Sequence, residues 1–192
     1  MADRCFVSVS ARRKSRAVLV AGLVFTAGAL SACGGGEPKE RSYELPTDLC
    51  GVEVDQDLYD PIFPPGDDID ISGSVSREFP LSGCTVEVDG EEVINLGTFP
   101  SGYDLEGLVV IGPYQNDLDE GEEVPGRYEM MVWPDAVFAV SDCVVPRYAP
   151  GFSVGLWATY PDDEDDSRRI LADLIEPLTA SAAQEVGCVE PE

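Results

Sequence analysis

Cys84-Thr-Val-Glu-Val-Asp-Gly-Glu-Glu-Val-Ile-Asn-Leu96 decides the fold class. Its first five residues alternate apolar with polar, and Asp89-Gly90 is the dipeptide of a two-residue type I′ turn. Glu91 to Leu96 then returns as a second strand. Downstream, 105–111, 127–133, 136–145 and 152–160 read as further strands, separated by Gly, Pro, Asn and Asp clusters. Upstream the pattern is weaker. Residues 67–79 alternate only through Ile69, Ile71 and Val75. Residues 45–66 hold Pro46, Pro61, Pro64 and Pro65, which limits them to short pieces such as one helical turn around Asp57-Leu58-Tyr59.

Near the end of the chain the period changes. Ile170, Leu171, Leu174, Ile175, Leu178, Ala182 and Val186 repeat at helical spacing. Asp162-Asp-Glu-Asp-Asp166 puts negative charge where the helix dipole is positive, and Gly187 is placed to end the helix. Pro177 removes one backbone hydrogen bond and is expected to bend or split it. An apolar helical stripe needs a surface to cover, and the strands supply one. The expected fold is α+β: an antiparallel sheet with a C-terminal amphipathic helix packed on one face.

The start of the chain reads as an export signal. Arg4, Arg12, Arg13, Lys14 and Arg16 precede an uncharged, mostly apolar run over residues 17–32. As a helix those 16 residues would cover about 24 Å, short of the roughly 30 Å hydrocarbon layer. The run is a transient insert, and Arg12-Arg13 leaves both the general and the twin-arginine export routes open. Leu30-Ser31-Ala32-Cys33 resembles the lipobox of bacterial lipoproteins. Two small residues let a peptidase reach the backbone, and the Cys33 thiol accepts diacylglycerol. The resemblance implies cleavage before Cys33, palmitate-type acylation there, and a position on the outer face of the cell membrane. Acyl chains bind at about 0.8 kcal/mol per buried CH₂, so two chains hold a protein where one holds it marginally. The expected organisation is a signal peptide over 1–32, a tether over 33–42 led by Gly34-Gly-Gly, and one acidic domain over 43–192.

Composition narrows the partners. Of 37 acidic residues only Asp3 precedes Cys33, and of 12 basic residues five do; the remainder is 36 against seven, a formal charge of −29. Such a field repels phosphate backbones, so no nucleic acid is expected as a partner. Disorder, the other outcome of high charge, is opposed by two Trp, seven Tyr and patterned apolar runs.

Cys5 leaves with the signal and Cys33 is acylated, so Cys50, Cys84, Cys143 and Cys188 remain. An even number in an exported domain points to two disulfides, with three connectivities open. Sequential pairing, Cys50 with Cys84 and Cys143 with Cys188, is favoured because it closes moderate loops. Each bridge would contribute about 4 kcal/mol on the chain-entropy account. No pair has the C-x-x-C spacing of a redox or zinc motif.

Candidate chemistry is thin. Gly151-Phe-Ser-Val-Gly155 matches the G-x-S-x-G nucleophile elbow, but that elbow needs a histidine base and a following helix. The chain has no histidine, which removes histidine triads and the usual zinc and iron ligand sets. No catalytic residues, cofactor or metal are therefore expected. Two readings stay open beside this: a carboxylate pair acting as a cell-wall glycan hydrolase, and a calcium-responsive envelope protein. Asp162, Glu164, Asp166 and Asp173 occupy positions 1, 3, 5 and 12 of an EF-hand-length loop, without the glycine at position 6. Trp133, Trp157 and Tyr160 could line a ligand cleft but are expected to fill the core.

The lipobox, the Gly34-Gly-Gly tether, Leu49-Cys50-Gly51, the Cys84 hairpin and Val186-Gly-Cys188 together resemble small lipoproteins of unknown function from actinobacteria, the high-GC Gram-positive bacteria. That resemblance carries no activity to particular residues. The expected function is a non-enzymatic, surface-tethered binding module for a protein or cell-envelope component.

Overall fold

The hairpin forms in the register its alternation sets. Strands β2 (Ser82–Val88) and β3 (Glu91–Phe99) pair antiparallel. Asp89 and Gly90 take φ of 53° and 81°, the paired positive values of a type I′ turn. Asp suits the first of these positions for a second reason. Its carboxylate accepts from the backbone N–H of Asp67 and Asp68, at 2.9 and 3.0 Å, and so ties the turn to the preceding loop.

The computed structural model describes residues 40–78, 81–99, 104–108, 117–148 and 150–189. These fall in one compact unit, Glu37–Glu192; the leader, Cys33 and the tether as far as residue 39 lie outside the described residues. Five further strands extend the hairpin into a seven-stranded, wholly antiparallel sheet. They are β1 (Ile69–Gly73), β4 (Glu122–Glu123), β5 (Glu129–Val132), β6 (Ala136–Val144) and β7 (Pro150–Ala158). The order across the sheet is β1-β2-β3-β7-β6-β5-β4. Two meanders, β1–β3 and β4–β7, therefore join through their last strands, with Ile94 opposite Ala158 and Leu96 opposite Leu156.

Both faces of the centre are covered. On one face Val86, Leu96, Val137, Ala139, Val154 and Leu156 meet the long helix α3 (Glu164–Glu185). Its residues Ile170, Leu171, Leu174, Ile175, Leu178 and Ala182 are all buried, as their spacing requires. The sheet with the C-terminal helix on one face is the α+β arrangement read from the sequence. On the other face Trp133, Ala136, Phe138 and Trp157 form a smaller cluster. Phe138 stands edge-on to both indoles, with ring centroids at 5.5 and 4.9 Å. Gly155 makes room for them, since a Cβ there would come within 2.8 Å of the Phe138 ring and 2.9 Å of the Trp157 ring.

Helix α3 is well terminated. The Asp163 carboxylate accepts from the N–H of Asp166 at 2.9 Å, an N-cap bond. At the other end Cys188 N donates to Ala183 O (2.8 Å) and Gly187 N to Gln184 O (3.1 Å), with Gly187 at φ 73°. That is a Schellman motif. Pro177 does not split the helix, which runs continuously from Glu164 to Glu185. Asp173, whose carbonyl loses its partner to the proline, is an exposed residue.

The N-terminal segment is bound to this framework. The guanidinium of Arg41 donates to the Asp60 carboxylate and to the carbonyls of Asp60 and Phe63, and Ser42 N donates to Gly66 O at 2.8 Å. The expected single helical turn is α1 (Gln56–Tyr59), continued as a 3₁₀ turn over Asp60–Ile62 where Pro61 stops it. Both disulfides follow the sequential pairing. Cys50–Cys84 (Cα–Cα 5.8 Å) joins the tight turn at Leu49–Val52 to β2, and Cys143–Cys188 (5.6 Å) joins β6 to the end of α3. Residues 105–111, read as a strand, begin instead with one helical turn, α2 (Leu105–Leu108). Asp104 accepts from Gly107 N at 2.9 Å and starts it, while Leu105 buries against the tryptophan cluster. Residues 109–111 lie outside the described residues.

Candidate functional site

The motifs singled out from the sequence do not assemble into one site. Ser153 of the G-x-S-x-G match is fully buried in β7, with strand on both sides of it and no elbow. Its second glycine, Gly155, is required for ring packing. The four carboxylates at EF-hand spacing do not form a loop, because Glu164, Asp166 and Asp173 are in α3 and Asp166 pairs with Arg169 at 2.8 Å. Among the described residues no three acidic or cysteine side chains stand together as metal ligands. The three aromatics separate. Trp133 and Trp157 are core, and the Trp133 indole donates to Asp117 O at 2.8 Å. Tyr160 is half-buried at a hollow of about 340 Å³ shared with Arg41, Asp60 and Arg169. Cys33 lies outside the described residues.

The arginines point to a different place. Among the described residues the basic side chains are six arginines, and four of them are engaged. Arg41 pairs with Asp60. Arg168 lies 3.4 Å from Glu122 and 3.8 Å from Glu164. Arg169 holds Asp166, whose hydrogen bond and charge raise its pKa further. Arg127 stacks over the Tyr128 ring at 5.5 Å. Arg77 and Arg147 have neither hydrogen bond nor ion pair from their guanidinium groups among the described residues. Both line the same cleft, of about 1030 Å³. In a domain so rich in carboxylates, two cations in one hollow with no partner among the described residues are out of keeping with the surface around them.

Local structure explains how each is presented. Arg77 follows β1 and lies across Gly187; a Cβ at Gly187 would approach its Nε to 3.1 Å. The glycine that ends α3 is thus also the platform for this guanidinium. Arg147 is the third residue of the turn joining β6 to β7. Tyr148 N donates to Val145 O at 3.0 Å, Pro146 is second, and Arg147 has φ 78°. Proline second and positive φ third is the type II pattern, which calls for glycine or asparagine in third place. An arginine there costs about 1 kcal/mol of backbone strain. The floor is apolar, with Val145 and Val186 buried. Tyr148 (44 % exposed) and Val189 (55 %) stand at the rim, and Glu78 is the one acidic residue lining the cleft among the described residues. The floor is held from beneath by Cys143–Cys188 and by the paired bonds between Val144 and Val189, 2.8 and 3.0 Å.

Sequence reading had no hold on Arg77, Arg147 or Tyr148. A signal was present in Val145-Pro146-Arg147-Tyr148, a turn sequence with arginine in the glycine position. What brings Arg77 to it is the tertiary path of α3, which no local pattern encodes. Comparison with family models, characterised proteins and solved structures finds no match to the chain.

Proposed function

We propose that the chain is a membrane-anchored lipoprotein, held by acylated Cys33 on the outer face of the cell membrane. Its domain is a non-enzymatic binding module for a protein or cell-envelope component. The observation that carries the binding reading is the cleft where the two unengaged arginines meet an apolar floor. A volume of about 1030 Å³ is at the upper end of the range of ligand sites. The address is supported by Leu30-Ser31-Ala32-Cys33 and by two disulfides of the kind that persist in oxidising compartments.

Expression of the full chain and of Cys33→Ala in an actinobacterial host tests both halves. The parent is expected in the membrane fraction, labelled by an alkyne analogue of palmitate and lacking residues 1–32. Cys33→Ala is expected to lose the label and leave the membrane fraction. Cross-linking on intact cells should then capture an envelope partner with the parent. An uncut leader, or an unlabelled parent, overturns the address; turnover of cell-wall glycan by the pure protein overturns the non-enzymatic reading.

A further inference from the structure

The cleft's chemistry goes further than the word binding. We propose that it takes a small oxyanion ligand, a carboxylate or phosphate carried on an apolar or aromatic body, with Arg77 and Arg147 as the anion-binding pair. The inference rests on the binding-module reading and names the ligand class of that same cleft.

Three observations converge. A guanidinium presents planar, forked donors that match carboxylate and phosphate oxygens, two bonds at a time. The two such groups without partners among the described residues line one cleft, while the other four are engaged elsewhere. Second, Arg147 occupies a left-handed backbone position that glycine would hold without strain. Strain of this kind collects at functional positions because the fold must be over-determined to keep it. Third, the surroundings suit the remainder of such a ligand. The Tyr148 ring and Val189 are exposed at the rim, and Val145 and Val186 close the floor.

Charge sets the size. The acidic surface repels extended polyanions over a Debye length of about 8 Å at physiological salt. A compact ligand with one or two negative charges is repelled far less and meets the two guanidinium groups at contact. Glu78 at the cleft wall disfavours a second anionic group on that side.

The test is a titration of the full chain with phenyl phosphate and, separately, benzoate, reading the side-chain ¹⁵Nε resonances of its arginines. Sodium chloride at matched ionic strength is the blank. Saturable shifts at Arg77 and Arg147, with Arg127 unmoved, are expected for at least one probe. Which probe saturates tells phosphate from carboxylate. Arg147→Gly and Arg77→Gln are each expected to weaken binding tenfold or more. Arg147→Gly should melt at or above the parent temperature, because it relieves the turn, so its loss of binding is not loss of fold. Absence of saturation with both probes, shifts spread equally over all exposed arginines, or full binding by both variants overturns the proposal. Each of those results removes only the ligand class, since cross-linking on cells reports partners of any chemistry.

Discussion

Tyr59 is fully buried. Its hydroxyl donates to Pro46 O at 2.6 Å, and its ring packs on Phe63 with centroids 5.9 Å apart. Burial raises its pKa above the ordinary phenol value, and the charges of Asp48, Asp55 and Asp60 push the same way. The fold therefore favours the neutral phenol. Its contribution is fully present below about pH 10, the unfolded value, and is lost as pH rises through the raised folded value. Denaturant melts at increasing pH should show stability falling in that alkaline window. Tyr59→Phe should shrink the fall and cost about 1 kcal/mol at neutral pH, through the unpaired Pro46 carbonyl. Tyr43, raised chiefly by burial and bonded to Pro64 O at 2.6 Å, adds to the same fall. An unchanged alkaline profile in Tyr59→Phe would refute this assignment. At this scale the sequence is uneven as a guide. Asp89 and Gly187 announce their turns because their residue types match the backbone they adopt. Cys50 (φ 60°) and Arg147 (φ 78°) do not, since neither type is expected at positive φ. Cys50-Gly-Val-Glu-Val-Asp55 and Cys84-Thr-Val-Glu-Val-Asp89 share a sequence pattern and not a structure. One copy is a turn leading into α1, the other is β2, and their cysteines are bonded to each other.

Among the elements, legibility follows burial. β7 and β6 are central and apolar, and α3 carries an unbroken stripe, so their periods are readable. β1 is not, because it is an edge strand whose Ile71 is 39 % exposed and whose pattern is correspondingly weak. The short helical turn α2 reads wrongly as strand because Leu105 to Ile111 is rich in residues that strands favour. The first turn there is decided by the bond from Gly107 N to Asp104. Helix α3 offers a direct check on capping. Asp163→Ala should cost about 1 kcal/mol in urea melts, through loss of the bond to Asp166 N. Asp162→Ala, one residue earlier and outside the cap, should cost a few tenths at most. Equal effects from the two would mean that general acidity near the helix start matters and the cap does not.

For the whole molecule, net charge bears on stability. Thirty-six acidic residues against seven basic ones from Cys33 onward repel one another in the folded state more than in the expanded one. Raising sodium chloride from about 10 mM to about 150 mM shortens the Debye length from roughly 30 to 8 Å and should raise Tm. The gain should be about 3 °C for each kcal/mol of repulsion relieved. Calcium at matched ionic strength should do no more than magnesium, because Glu164, Asp166 and Asp173 are spread along α3 and Asp162 precedes its cap. A calcium-specific rise would favour the reading as a calcium-responsive envelope protein. Charge is legible from composition, and two bridges from the count of four cysteines; their pairing is not, since three connectivities stay open until the fold brings Cys50 to Cys84 and Cys143 to Cys188. Nor is the cleft, because it is made where residues from the β1–β2 connection, the β6–β7 turn and the end of α3 come together.

The seam between the two meanders has a consequence for how the molecule is completed. β3 offers its free edge from the moment the first meander forms, but the strand that fills it, β7, lies more than fifty residues later. A chain delivered N-terminus first thus waits with the edge over residues 94–99 open, the six residues that later pair with β7. Cys50–Cys84 closes entirely within that waiting half, whereas Cys143–Cys188 must follow the last helix. If delivery stalls between these events, β3 of one molecule faces β7 of the next with the same matching residues. That is the starting geometry for an exchanged dimer.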